Sequence, residues 1–209
     1  MVNLDIDVLD FNLKVLELMG FHVDSRLDQG GFGEVYRGSS GRSMRAYKLP
    51  AVPKANLSIK KRVEKFALNN AHLKREFEAY VRTFNVRGVP SSASIFEATV
   101  RPFDLPLYII DRPFIVGTSL DRADNGKPKT LSHEEFQYVQ EIIGNCHLSG
   151  ICCLDIAARN IIVSSRHKPV LIDFGTAVFR EESGINFEED RDLDFRALRS
   201  LSYSRYSSV

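Results

Sequence analysis

The 209-residue sequence contains no tryptophan and only three cysteines. Cys146, Cys152 and Cys153 are odd in number, lie close together along the chain and have no CxxC spacing for zinc, so we interpret them as buried thiols in a reducing compartment. Neither sign of charge prevails, because 28 Lys and Arg stand against 27 Asp and Glu. The overall charge therefore gives no reason to expect nucleic acid as a partner.

Long apolar runs are also missing. No run approaches the roughly 20 residues that a membrane helix requires, so we expect no membrane span. The first ten residues carry Asp5, Asp7 and Asp10 instead of the basic segment of a signal peptide. We therefore expect a cytoplasmic protein, with secretion as an effector into a host cell left open. With 44% hydrophobic residues, the chain can form one domain or two small lobes with a packed core.

A glycine-rich turn, QGGFGEVY at residues 29–36, follows a predicted strand at residues 21–27. Glycines let backbone N–H groups approach phosphates, but a plain hairpin turn also favours glycine, so the turn alone supports both interpretations equally. The next predicted strand, residues 44–49, places Ala46 and Lys48 on one face. A small residue beside a cation could contact a purine and hold its phosphates.

The helices are predicted from apolar spacing. Residues 4–19 form one, and a second carries an apolar stripe on which Glu76 lies. A buried carboxylate is costly unless paired, and Lys48 is the candidate partner; the alternative places Glu76 in water at the rim of the stripe. The stripe consists of Leu73, Phe77, Tyr80, Val81 and Phe84.

The middle of the chain contains two further predicted strands, residues 94–100 and 107–110, and an extended connector from residue 111. A loop-like linker follows at residues 121–130. Ser132 and Glu135 then form the pattern of a capping box at the start of another helix.

Residues 151–175 combine three polar side chains with two short β-branched runs, which predict a hairpin. Asp155 and Asn160 precede the first run, and Asp173 follows the second. Their oxygens are hard ligands of the kind that Mg²⁺ prefers. The hairpin can bring these oxygens together at a site that suits a divalent cation and a hydroxyl nucleophile.

In this order the motifs resemble those of the protein-kinase-like superfamily, over residues 27–175. The glycine turn is similar to G-x-G-x-F-G-x-V, and Ala46-Tyr47-Lys48 to A-x-K. Residues 153–155 are similar to H-R-D, and Asp173-Phe174-Gly175 to D-F-G. The resemblance implies an α+β, two-lobed kinase-like fold. Its β-rich N-lobe would occupy residues 1–116, and a truncated, mainly helical C-lobe residues 117–209.

The resemblance also implies the roles of the site residues, with ATP and Mg²⁺ as cofactors. Lys48, fixed by Glu76, would hold the phosphates, and Asp155 would orient the acceptor hydroxyl and accept its proton. Asn160 and Asp173 would bind Mg²⁺. The remaining nucleotide-binding residues would lie around the adenine and the phosphates: Leu27, Gly30, Gly31, Phe32, Gly33, Val35, Ala46, Phe114 and Ile162.

The departures from the family pattern concern regulation and substrate docking. Asp28 replaces the first glycine, Cys153 the histidine, and Leu154 the arginine that pairs with a phosphorylated activation loop in many members. No A-P-E motif follows Gly175. The chain therefore resembles minimal, atypical members: RIO-like kinases, the small kinase of the tRNA-modifying KEOPS complex, lipopolysaccharide-core kinases and secreted bacterial effector kinases.

A last helix is expected at residues 189–198, where Asp190 or Asp194 could hold the catalytic-loop backbone. The serine-rich tail after it, residues 200–209, could be a target of autophosphorylation. We expect a kinase acting on Ser or Thr of a protein, with Tyr as a further acceptor and a docking or activating protein as a partner. The alternatives are a nucleotide-binding pseudokinase that acts as a scaffold or regulator, and a small-molecule or sugar kinase.

Overall fold

The computed structural model describes residues 11–54, 56–100, 105–122, 130–164 and 168–203. The fold is α+β, as the sequence predicts. The chain divides into two compact units, one formed by Met1–Phe77 with Ser92–Phe114 and the other by Glu78–Ser91 with Ile115–Val209. The sequence places a boundary between residues 116 and 117, and residues 78–91 belong here to the second unit.

The first unit contains a five-stranded sheet in which every neighbouring pair is antiparallel, with the order β1-β2-β3-β5-β4. The strands are β1 (His22–Gln29), β2 (Gly33–Ser40), β3 (Ser43–Pro50), β4 (Ser94–Val100) and β5 (Leu105–Pro113). All four strands predicted in this region are confirmed. The connector expected from residue 111 is still strand up to Pro113, because pairing with β3 continues as far as Arg45.

Two helices accompany this sheet, α1 (Phe11–Leu18) and α2 (Ile59–Arg82), and the last five residues of α2, 78–82, belong to the second unit. The first seven residues of the helix predicted at 4–19 lie outside the described residues. Helix α1 buries one face in an apolar core that includes side chains of β2, β3, α2 and β5. This core consists of Phe11, Val15, Leu16, Tyr36, Tyr47, Leu49, Phe66, Leu107 and Ile109.

The apolar stripe of α2 is shorter than the sequence predicts. Leu73, Glu76 and Tyr80 are buried, but Val81 is 52% exposed and Phe84 is 62% exposed. Val81 follows Tyr80 by one residue, which rotates it about 100° away from the buried line. Phe84 lies beyond the last helical residue, Arg82. The prediction was therefore wrong for the last two members of the stripe.

The second unit has two small antiparallel sheets, one with the order β6-β8-β9 and one that pairs β10 with β7. The strands are β6 (Gly117–Ser119), β7 (Ile151–Cys152), β8 (Ile161–Ser164), β9 (Pro169–Leu171) and β10 (Val178–Phe179). Strands β8 and β9 form the hairpin that the sequence predicts. Most of the linker expected at 121–130 lies outside the described residues.

The helices of this unit are α3 (His133–Leu148), α4 (Arg180–Ser183) and α5 (Phe187–Tyr203). The capping box at the start of α3 is confirmed, because Glu135 N donates to Ser132 Oγ at 3.2 Å and Ser132 N donates to Glu135 Oε2 at 2.8 Å. Helix α5 includes the predicted segment 189–198 and extends it at both ends. Residues 204–209 of the expected tail lie outside the described residues.

Candidate functional site

The glycine turn connects β1 to β2 and is closed by the backbone. Gly30 N donates to Gly33 O at 2.8 Å, and Ala51 N donates to Phe32 O at 3.0 Å. A Cβ atom at Gly33 would lie 2.9 Å from Leu49 O and 3.1 Å from the Cε atom of Lys48. Glycine at this position therefore allows the turn to approach Lys48.

The tip of the turn is more open. A Cβ atom at Gly31 would meet nothing within 4 Å. Phe32 is 45% exposed, and its ring lies 4.1 Å, centroid to centroid, from the ring of His72 on α2.

Lys48 and Glu76 form a buried ion pair within the first unit. The Nζ atom of Lys48 lies 2.6 Å from Oε2 of Glu76, and the two side chains are 9% and 1% exposed. Strand β3 carries Lys48 within its buried part, residues 46–50, and α2 places Glu76 in line with Leu73 and Tyr80. The pairing inferred from the sequence is confirmed, and Glu76 does not lie in water.

The apolar residues predicted around the adenine lie at several places in the sheet. Val35 pairs directly with Lys48 across β2 and β3, so Val35, Lys48 and Ala46 share one face. Leu27 lies at a shift of register in β1. Phe114 N donates to Met44 O at 3.1 Å, so this N–H is already used within the first unit.

In the second unit Asp155 and Asn160 lie close together just before β8. Asp155 Oδ2 accepts hydrogen bonds from Asn160 Nδ2 at 3.0 Å and from Arg159 Nη2 at 2.7 Å. Asn160 Nδ2 also donates to the Asp155 carbonyl oxygen at 2.9 Å. These bonds use the nitrogen of the Asn160 amide, so the oxygen of that amide is the atom that suits a cation. Ile162, two residues further along, is half-buried in β8.

The residue before Asp173 is hydrogen-bonded to Asn160, because Ile172 N donates to Asn160 O at 2.9 Å. The hairpin therefore brings the Asn160 and Asp173 positions to the same end of β8 and β9, as the sequence predicts. Asp173 Oδ1 accepts from Gly175 N at 3.4 Å. Phe174 is fully buried, and its ring packs edge-on against Tyr80 at a centroid distance of 5.3 Å.

Backbone strain is concentrated between Cys153 and Asp173. Cys153, Asp155 and Asp173 have φ values of 55°, 46° and 66°. Residues other than glycine rarely adopt this region. Such conformations persist where the surrounding structure holds them, and they are enriched at functional sites. Three of the four non-glycine residues with positive φ in the described chain belong to this segment.

The backbone next to Asp155 is held by Asp194 of α5. Leu154 N donates to Asp194 Oδ1 at 2.8 Å, and His147 Nε2 lies 2.9 Å from Asp194 Oδ2. Of the two candidates from the sequence, Asp194 makes this contact, whereas Asp190 accepts a hydrogen bond from Ser183. Sequence reasoning missed His147. Its position beside Cys146 on the buried face of α3 indicates that the side chain is buried, but it does not indicate which residue it bonds.

A second cluster of potential ligands lies beside this network. The sulfur atoms of Cys152 and Cys153 and a carboxylate oxygen of Asp190 lie within 4.8 Å of one another. Burial, with the nearby groups adding to it, raises the pKa of Cys152 to about 12 and that of Cys153 above its usual value. Burial therefore disfavours the thiolate form that a metal ion would require at these positions, and we assign no ion to this cluster.

No protein-family model matches the sequence, and none of the curated proteins compared with it matches. Within the described part of the chain, no helix has both the length and the apolar character needed to cross a membrane.

Proposed function

We propose that this chain is an ATP- and Mg²⁺-dependent phosphotransferase of the protein-kinase-like type, with a hydroxyl group of a protein as the acceptor. The two units would correspond to a β-rich N-lobe and a truncated, mainly helical C-lobe. The main support is the buried ion pair between Lys48 and Glu76, 2.6 Å apart. Burying two opposite charges is costly, and a site that binds phosphates gives this pair a chemical purpose.

In the first unit, the proposed nucleotide site combines Lys48 with the glycine turn. Glu76 fixes the ammonium group, which attracts the phosphate oxygens of ATP. Gly30, Gly31 and Gly33 have no Cβ that would keep phosphate away from the backbone. Because the Gly30 N–H bonds Gly33 O, the N–H groups after Gly30 would be the donors to phosphate. Val35 and Ala46, which share a face of the sheet with Lys48, would contact the base.

In the second unit, the donor set suits Mg²⁺. Asn160 offers an amide oxygen and Asp173 a carboxylate, and both are the hard ligands that this ion prefers. When bound, Mg²⁺ would neutralise charge that develops on the phosphate oxygens during transfer.

Asp155 would act on the acceptor. Its carboxylate, oriented by Asn160 and Arg159, would accept the proton of the substrate hydroxyl as that oxygen bonds to the γ-phosphorus and the bond from this phosphorus to the bridging oxygen of ADP breaks. Ser or Thr is the first acceptor to test, followed by Tyr and by sugars or other small molecules.

A nucleotide-binding protein without catalysis is the second candidate. It is favoured by Asp28 at the first glycine position and by the 2.7 Å hydrogen bond from Arg159, which engages the carboxylate proposed as the base. Such a protein would bind ATP through Lys48 and act as a scaffold or regulator of a partner.

A transfer assay distinguishes these functions. The purified chain is incubated with radiolabelled ATP, Mg²⁺ and generic protein acceptors, alongside Asp155→Asn, Asp173→Asn and the exposed control Asp192→Asn. The kinase proposal expects label transfer that falls at least about 100-fold in the first two variants and is unchanged in the control. Nucleotide binding that depends on Lys48, without transfer to any acceptor, would instead support the scaffold.

A further inference from the structure

Helix α1 carries one polar residue on the face that it buries in the first unit. Asn12 is 1% exposed and lies beside Phe11, Val15 and Leu16, which belong to the apolar core. Its oxygen, Oδ1, has no hydrogen-bond partner among the described residues. A buried oxygen without a hydrogen bond lowers stability. We therefore expect the hydrogen bonds of the amide nitrogen on the same side chain to offset this cost.

That nitrogen makes two hydrogen bonds to residues distant in the sequence. Asn12 Nδ2 donates to Glu34 Oε2 at 3.2 Å and to Pro50 O at 3.0 Å. Glu34 is the second residue of β2, directly after the glycine turn, and Pro50 ends β3 two residues after Lys48. Asn12 therefore links the strand that follows the turn to the strand that carries the lysine.

Glu34 is also bonded across the base of the turn. Its Oε1 accepts from Gln29 Nε2 at 3.1 Å, and its Oε2 accepts from the Tyr36 hydroxyl at 2.7 Å. Gln29 and Glu34 are paired where the glycine turn connects β1 to β2. The carboxylate is buried and bonded to three neutral donors, and such bonds to a charged acceptor are stronger than those between neutral groups. The four residues between Gln29 and Glu34 are thus fixed at their base.

We propose that Asn12 is a positioning residue for the phosphate site, which acts by holding Glu34 and thereby the conformation of the glycine turn. This inference rests on the proposed nucleotide-binding function. It makes α1 part of the nucleotide site, although α1 precedes every motif of the kinase-like pattern. Anything that displaces α1 would then weaken nucleotide binding.

Asn12→Leu tests the proposal, because leucine has a similar volume and removes only the polar contacts. Asn70→Leu is the matched control. Asn70 is also a buried asparagine of the first unit, and its amide bonds Phe66 O at 3.1 Å and Tyr108 N at 2.9 Å, away from the turn. Glu34→Gln removes the charge and leaves one acceptor oxygen for three donors, so it is expected to behave like Asn12→Leu.

Amide hydrogen exchange of residues 30–33 is the first measurement, since it does not require any nucleotide. We expect exchange about tenfold faster in Asn12→Leu and Glu34→Gln than in the wild type, and no local change in Asn70→Leu beyond its effect on overall stability. Equal acceleration in Asn12→Leu and Asn70→Leu, or none in either, would overturn the proposal.

Nucleotide affinity is the second measurement. With a fluorescent ATP analogue we expect the Kd to rise about tenfold in Asn12→Leu, and in the transfer assay the KM for ATP should rise while kcat changes less than threefold. Unchanged affinity in Asn12→Leu, beside a wild type that binds, would overturn the positioning role. A wild type that binds no nucleotide would instead overturn the proposed function, and the exchange data would show separately whether Asn12 holds the turn.

Discussion

His147 and Asp194 are joined by a buried hydrogen bond of 2.9 Å between Nε2 and Oδ2. His147 Nδ1 has no partner among the described residues, so the bond to the carboxylate places the ring proton on Nε2. Through its other oxygen, Asp194 holds Leu154 N at 2.8 Å. One carboxylate therefore connects α3, α5 and the segment that leads to Asp155.

Asp194→Ala should lower the free energy of unfolding by about 3 kcal/mol, because it leaves a buried ring N–H and a buried backbone N–H without their acceptor. Activity should fall as well, since Leu154 directly precedes Asp155. Urea unfolding and the transfer assay measure the two effects. Asp190→Ala removes a half-buried carboxylate of the same helix and should cost less than about 1 kcal/mol. Equal losses in the two variants would contradict the role of Asp194.

The pair Arg82 and Glu181 predicts a dependence on pH. Arg82 Nη1 donates to Glu181 Oε2 at 3.0 Å, and the guanidinium of Arg82 lies 4.0 Å from the centre of the Phe179 ring. The hydrogen bond from Arg82 lowers the pKa of Glu181 to about 2. A lowered pKa in the folded state means that the pair stabilises the protein above the ordinary pKa of 4.5 and that this contribution disappears as the pH falls towards 2.

Urea midpoints of the wild type and Glu181→Gln, measured between pH 6 and pH 3, check this expectation. The difference between the two proteins should be largest at pH 6, shrink below about pH 4.5, and be reduced by 0.5 M salt because the pair is exposed. Glu141→Gln, on the exposed side of α3, is the charge control. A difference that grows on acidification would show that the ion pair does not operate as described.

The sequence predicts most of the fold because its signals are local. The period of two along β3 places Ala46 and Lys48 on one face, and the helical period of α2 places Glu76 on an apolar stripe. A buried carboxylate requires a partner, which joins Glu76 to Lys48. The choice between Asp190 and Asp194 is different, since residues four apart lie on the same side of a helix. Only the distance to Leu154, 40 residues earlier in the chain, selects Asp194. The link from Asn12 to Glu34 likewise depends on packing that no local pattern encodes.

The three thiols should differ in reactivity. Burial raises the pKa of Cys146 and of Cys152 to about 12, whereas Cys153 is only half-buried. At pH 8 these two thiols therefore remain protonated, the unreactive form. With a thiol reagent under native conditions we expect Cys153 to react first and the other two only as fast as the protein unfolds.

Cys153→Ser is the control for this measurement and should remove the fastest phase of labelling. The raised pKa values of Cys146 and Cys152 also predict how the free energy of unfolding changes at alkaline pH. Unfolded thiols ionise near their ordinary pKa of 9 while the folded ones stay protonated, so stability should fall as the pH rises above 9. Rapid labelling of two thiols in folded Cys153→Ser would contradict the burial of Cys146 and Cys152.

The buried ion pair allows stability and function to be separated. Glu76→Leu removes the partner of a lysine that is 9% exposed and should lower the free energy of unfolding by about 3–5 kcal/mol. Adding Lys48→Met should restore much of that loss, because two apolar side chains replace the pair without leaving a buried charge. Nucleotide binding should stay lost in the double variant, since no cation remains for the phosphates. If the stable double variant binds ATP like the wild type, Lys48 does not hold the phosphates.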